Sequence, residues 1–272
     1  MLIDSHAHIQ LDNFDVDRGT VLERAQEAGV HAMMVIGFDL ETSRGAIALA
    51  EKYERQSSAI NKKDNRGGNL PLQIYATVGM HPHDAKDLDD ETVRIFRDLA
   101  AHPKVVALGE MGLDYYRDLS PRPIQQAAFE RQLDLAEELD LPIVIHNREA
   151  YHDILPILQA RRGRVRGVMH CFSGDVEIMR QSLALGFHIG IGGPVTYRKS
   201  DALQEVARKV PADALLVETD CPWLAPQFRR GKRNEPAYVR ATAEKIAELR
   251  GISLEEIGEM TTQNFEGLFI TS

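Results

Sequence analysis

Only two cysteines, Cys171 and Cys221, occur in the 272 residues. That is too few for a disulfide framework and agrees with a reducing compartment. Long apolar runs are also missing, and nothing approaches the roughly 20 residues that span a bilayer. The N-terminus carries neither the basic nor the apolar region of a signal peptide, so a cytoplasmic protein with no membrane partner is expected. Positive charge is in deficit: 32 Lys and Arg stand against 41 Asp and Glu, a formal charge of -9. A protein that coats nucleic acid by releasing counterions is disfavoured. An enzyme that touches phosphate at one site is not, because divalent metal and a local basic patch can offset the carboxylates. No Walker motif, solenoid repeat or dividing linker is visible, so residues 1–272 are read as one domain. The run Gly190-x-Gly192-Gly193 lacks the helix and distal acid of a dinucleotide fingerprint and reads as a turn that lets substrate approach the backbone.

What is present is 43% hydrophobic residues, ample for a core, in a strand-helix alternation along almost the whole chain. Strand-length apolar runs are Leu2 to Ile3, Ala32 to Ile36, Gln73 to Val78, Val105 to Leu108, Pro142 to Ile145, Val165 to Met169, Phe187 to Ile191 and Leu215 to Val217. Helical patterning covers Asp17 to Ala28, Thr42 to Gln56, Glu91 to Ala101, Ile124 to Leu139, Tyr151 to Arg161, Val176 to Leu185, Leu203 to Lys209, Pro236 to Leu249 and Ser253 to Phe269. Pro156 argues for a break or kink in its helix. Near-continuous apolar strands in a βα repeat imply a parallel sheet buried on both faces, and eight units suit a closed TIM (β/α)8 barrel, with an open doubly wound sheet as the alternative. Ser57 to Asn69 is too polar to pack and reads as an exposed insertion away from the active face.

The opening Leu2-Ile3-Asp4-Ser5-His6-Ala7-His8 places two histidines at i, i+2 behind an apolar run. On a strand the period of two turns both imidazoles to one side, where they can share a metal ion. Other apolar runs also end in a metal-competent side chain: Glu110, His146, His170 and Asp220. A parallel barrel gathers its strand ends at one mouth. Four imidazoles and two carboxylates suit two divalent ions (Mg, Mn or Zn) with a bridging carboxylate. His31 and His188 at strand entrances, His102 at a helix end and His152 on a helix read as structural or exposed.

The order Asp-Ser-His-Ala-His, Gly-Met-His-Pro-His, Gly-Glu-Met-Gly-Leu-Asp-Tyr-Tyr, His-Asn-Arg-Glu-Ala, His-Cys-Phe-Ser-Gly, Glu-Thr-Asp-Cys-Pro-Trp-Leu-Ala-Pro and Arg-Asn-Glu-Pro, from residue 4 to residue 236, resembles the TatD family of metal-dependent deoxyribonucleases. The resemblance implies a barrel metallohydrolase of the amidohydrolase superfamily. In that pattern His6, His8, Glu110 and Asp220 hold one metal, and Glu110, His146 and His170 the other. A Glu at the fourth strand, where many relatives carry a carboxylated Lys, favours this branch over the dihydroorotase and urease type. The polar insertion near residue 60 departs from the usual compact pattern.

The expected chemistry is attack of a metal-activated hydroxide on phosphorus, with Asp220 orienting the nucleophile and collecting its proton. Expected substrate contacts are His81 and His83, either phosphate donors or a rigid His-Pro-His turn; Arg148 at the rim, unless a carboxylate pairs with it; and Tyr115 or its neighbour Tyr116 stacking on a base. Arg229, Arg230, Lys232 and Arg233 form the only dense basic run, right after the eighth strand, where backbone phosphates would meet it. Asn234 and Glu235 are expected to brace that loop, and Glu218 to support the ligands from behind. The leading function is hydrolysis of DNA phosphodiesters, trimming single strands or ends, with transient DNA binding by a monomer. Ester or amide hydrolysis, such as deacylation of mischarged tRNA, is the alternative enzyme class. A non-catalytic barrel has no physical reason to keep six ligands.

Overall fold

The computed structural model describes residues 1–61 and 72–270, without the side chains of residues 56–61. The eight apolar runs form β1 (Leu2–Ala7), β2 (Val30–Val35), β3 (Gln73–Val78), β4 (Val105–Asp114), β5 (Ile143–Arg148), β6 (Gly167–Met169), β7 (Phe187–Ile191) and β8 (Leu215–Val217). All neighbours pair in parallel and in chain order. A bridge between Ala7 and Cys221, with the His8 N–H donating to the Cys221 carbonyl at 2.8 Å, joins the segment that follows β8 to the end of β1. The fold is the expected TIM barrel.

Around it lie α1 (Arg18–Glu27), α2 (Leu40–Asn61), α3 (Asp90–Ala100), α4 (Arg122–Leu139), α5 (Tyr151–Ala160), α6 (Val176–Ala184), α7 (Asp201–Lys209), α8 (Val239–Arg250) and α9 (Leu254–Phe269). Side chains start several of them: Asp89 accepts from the Thr92 N–H, Asp175 from those of Glu177 and Ile178, and Ser253 closes a capping box with Glu256. Pro156 does not break α5; it lies on the exposed side, where solvent can serve the carbonyl that loses its partner. Helix α2 runs on to Asn61 because Ser57 to Asn61 holds neither Gly nor Pro, so the first part of the polar insertion is helical. The remainder lies outside the described residues.

Alternate strand residues serve two cores. Met33, Val35, Ile143, Ile145, Leu215 and Val217 pack outward with the helices. Ile3, Met34, Ile36, Val106, Val144, Val168 and Leu216 pack inward and meet Phe265, Leu268 and Phe269 of α9, which plug one end of the ring. The same inward period continues to the open end: Val144 to His146 on β5, Val168 to His170 beyond β6, and Leu216 to Glu218 and Asp220 beyond β8. Three strands are longer than their apolar runs suggest, so His6, Glu110 and His146 lie within strands and not after them. Strand pairing uses the backbone and tolerates a polar side chain that points into the barrel.

Candidate active site

Glu110 is the hub of the open end. Its Oε2 lies 3.5 Å from His6 Nε2 and 3.7 Å from His8 Nε2. Its Oε1 lies 2.8 Å from His146 Nδ1 and 2.9 Å from His170 Nε2. Asp220 Oδ1 approaches the first pair, 3.7 Å from His6 Nε2 and 3.5 Å from His8 Nε2. One oxygen of Glu110 thus faces His6 and His8 and the other His146 and His170, with the His6 and His170 rings stacked 3.8 Å apart, and all six expected ligands converge. Gly112 keeps β4 against β5 here, since a Cβ would run into the His146 carbonyl.

The groups behind three of the rings leave the other nitrogen of each facing inward. His8 Nδ1 lies 3.2 Å from the Ile36 carbonyl, which can only accept, so the proton sits there and Nε2 offers its lone pair to the centre. His146 Nε2 faces Asp114 Oδ2 at 3.2 Å, leaving Nδ1 toward Glu110. His170 Nδ1 faces Glu218 Oε1 at 3.5 Å, leaving Nε2 toward Glu110. This carboxylate or carbonyl behind the ring is what metal-binding histidines require. His81 is reversed: its Nδ1 accepts from the His83 N–H at 3.2 Å, so Nε2 carries the proton and points toward Glu110 Oε1, 3.6 Å away. It is a donor aimed into the site.

Burial alone would raise the Glu110 carboxyl, but the neighbouring His170 and bonds from His146, His170 and His6 hold it well below the carboxylate range. Asp220 is likewise lowered against its burial, by His8, His6 and His170. Burial would depress His170 and His146, yet Glu110 with Glu218 raises the first well above its usual value, and Asp114 with Glu110 raises the second. His6 and His81 fall, chiefly through burial and then through a neighbouring imidazole. Ionised carboxylates among inward lone pairs fit divalent cations, which would displace the protons of His146 and His170. Among the described residues three clusters of donor atoms, His6-Glu110-His170, His6-His8-Asp220 and His81-Glu110-His146, have the spacing for an ion, although the reversed tautomer of His81 argues against the third.

A family model, TatD related DNase, matches residues 3–270. The chain belongs to the TatD-related DNase family. It is 43% identical to "Uncharacterized metal-dependent hydrolase YabD" of Bacillus subtilis over 99% of each chain, and 35% identical to "3'-5' ssDNA/RNA exonuclease TatD" of Erwinia tasmaniensis over 98% of this chain and 99% of that one. Among solved structures, YJJV, a TatD homologue from Escherichia coli K12, superposes with a TM-score of 0.87 at 30% identity, covering 100% of this chain and 98% of that chain. Family membership makes the chain a metal-dependent hydrolase of the nuclease type.

The other residues expected at a TatD-family site divide. His81 lies at the centre and His83 Nε2 bonds Asp114 Oδ2 at 2.8 Å, so the His-Pro-His turn is rigid and also faces the site. Arg148 has no carboxylate partner among the described residues; its guanidinium lies 4.0 Å from the Tyr116 ring centre. Tyr115 corrects the expectation of base stacking: it is 6% exposed, its hydroxyl donates to Asp153 at 2.6 Å and Arg122 covers its ring at 4.3 Å. Its neighbour Tyr116, 55% exposed, is the ring that is open. Arg233 is also corrected as a phosphate contact, because it forms a double bond pair with Asp17 at 2.9 and 2.6 Å and donates to the Asn13 carbonyl. Arg230 rests 4.4 Å from the Tyr197 ring, and neither it nor Lys232 has an ion-pair partner among the described residues.

The bracing role expected of Asn234 has a concrete form: its Nδ2 donates to the Thr219 and Trp223 carbonyls at 2.8 and 2.7 Å, clamping the turn that carries Asp220. Glu235 holds Arg24 of α1 with two bonds at 2.9 and 2.6 Å. Glu218 accepts from the Cys171 N–H at 2.5 Å and backs His170. Sequence reasoning missed Asp114, Asp4 and Trp223. Asp4 accepts from the Thr219 N–H and hydroxyl at 2.9 and 2.6 Å, tying β1 to the end of β8. Asp114 would have been found by continuing the inward period from Glu110 through Gly112.

Proposed function

We propose that the chain hydrolyses phosphodiester bonds of single-stranded DNA or RNA from an end, with His6, His8, Glu110 and Asp220 holding one divalent ion and Glu110, His146 and His170 a second. The observation that carries this reading is the division of Glu110, one oxygen toward each histidine pair. Bound there, such ions supply a water of pKa lowered from about 16 towards roughly 7 and positive charge against the phosphate. Asp220, ionised and facing His6 and His8, would orient a water at the site and take its proton. His81 donates its Nε2–H to a non-bridging phosphate oxygen, and Arg148, Arg230 and Lys232, without ion-pair partners among the described residues, meet neighbouring phosphates. The names of the Erwinia relatives support single strands and attack from the 3' end.

Every proposed ligand comes from one chain, so a monomer suffices. Two free cysteines, and the absence among the described residues of a helix able to cross a membrane, fit a cytoplasmic enzyme. The test is incubation of metal-loaded protein with single-stranded DNA, single-stranded RNA and an aminoacyl ester. Cleavage of the oligonucleotides is expected; cleavage of only the ester would reject the nuclease in favour of the deacylase.

A further inference from the structure

The chain has one tryptophan, Trp223, and it is 49% exposed at the mouth of the barrel. Tryptophan is among the most buried residue types on average, so half an indole in solvent beside buried ligands calls for a partner. Its ring centre lies 5.0 Å from that of His8, edge to face. The same turn carries Asp220: the Trp223 N–H donates to the Asp220 carbonyl at 3.0 Å, and Asn234 holds the Trp223 carbonyl at 2.7 Å. These bonds anchor the backbone of Trp223 beside the reacting centre, and the contact with His8 sets its ring against a candidate ligand.

Strand order places a second open ring across the mouth. Tyr116 follows β4 and its cation Arg148 ends β5, half a circuit from the closure of β8 on β1. Eight strands spaced about 4.8 Å and tilted about 36° make a ring roughly 15 Å across. A phosphate over Glu110 would thus have an aromatic face at each rim.

We propose that Trp223 is the stacking platform for the base on one side of the scissile phosphate and that the Tyr116–Arg148 pair takes the base on the other side. This rests on the nuclease reading. Bases inside a duplex are already paired and stacked, so a clamp of this kind selects single strands. Every base has a π face, so the clamp tolerates any sequence.

Because Trp223 is the sole tryptophan, its fluorescence reports the contact without turnover. The full chain is titrated with a short phosphorothioate oligothymidylate and with the same backbone carrying abasic tetrahydrofuran residues. Quenching by the oligothymidylate and not by the abasic chain is expected. In steady-state cleavage Trp223→Ala raises KM about 5- to 150-fold, the range for one stacked base, with kcat changed much less, and Trp223→Phe restores most of the loss. Tyr116→Ala shifts KM in the same way, and a substrate abasic on one side of the cleaved bond becomes insensitive to one of the two Ala variants only.

Equal quenching by both probes, or Trp223→Ala and Trp223→Phe cleaving with wild-type KM, would overturn the clamp. A wild-type chain that cleaves no oligonucleotide would instead count against the nuclease reading, and the fluorescence titration would still decide whether bases stack on Trp223.

Discussion

Asp114→Asn alters one atom and almost no volume, yet it should loosen the hold on His146. In the native chain Oδ1 accepts the backbone N–H groups of Tyr116 and Arg117 at 3.0 and 2.8 Å, while Oδ2 faces His83 and His146 at 2.8 and 3.2 Å. An amide keeps one oxygen, so its NH2 must face either the two backbone donors or the two imidazoles. Hydrogen bonds to charged groups are worth about 1.5–3 kcal/mol each, and losing the one to His146 releases the proton that keeps Nδ1 free to bind. Outer carboxylates of this kind typically contribute about 10- to 100-fold in metal affinity or activity. The expected result is a 10- to 100-fold rise, to that order, in the Mn concentration giving half-maximal cleavage, with most activity recovered at saturating metal. The assay is release of nucleotides from a labelled single-stranded oligonucleotide across a Mn titration, with thermal unfolding as a check on the fold. A folded Asp114→Asn variant with the wild-type metal titration would refute the role given to the carboxylate behind His146.

Asp220→Asn should lower turnover by about 10²–10⁴-fold while leaving Tm nearly unchanged, because the backbone bond from its N–H to the His6 carbonyl at 2.9 Å survives; a variant with wild-type kcat would remove Asp220 from proton transfer. Arg230→Ala should reduce the slope of log kcat/KM against log salt by about 0.7, the value for one phosphate contact on a single strand. Arg233→Ala should leave that slope alone and cost up to about 1 kcal/mol of stability, since its partly exposed pair with Asp17 is partly screened. Burial raises the Asp4 carboxyl from 3.8 to about 8 in spite of the Thr219 bonds. The folded state therefore favours its protonated form, and that contribution is full below about pH 4 and lost as the pH rises to about 8. Comparing thermal unfolding of the native chain with Asp4→Asn between these values should show the native chain losing ground as pH increases; parallel curves would contradict it.

Fold class was legible because strands buried on both faces leave apolar runs that mark them wherever they occur. Strand ends were not, because a side chain pointing into the barrel can be polar without ending the ladder. Glu110 was placed one step beyond β4, although the strand continues to Asp114, and that error hid Asp114 itself. It also left open which of Tyr115 and Tyr116 faces out, a choice that depends on where the strand stops. The basic run after β8 looked uniform in sequence, yet Arg233 is taken by Asp17, 216 positions away, and only closure of the ring reveals such a partner. Closure likewise brings Trp223 to His8, so the indole passed as one letter of a motif.

Metal content measured by elemental analysis, on the native chain and on Glu110→Gln after identical metal loading and dialysis, tests the bridging role of Glu110 most directly. Close to two divalent ions per native chain are expected, falling to one or none in Glu110→Gln, with oligonucleotide cleavage lost in parallel. A native chain that holds no metal, or a Glu110→Gln variant that keeps the full complement and its activity, would contradict a carboxylate shared between two ions.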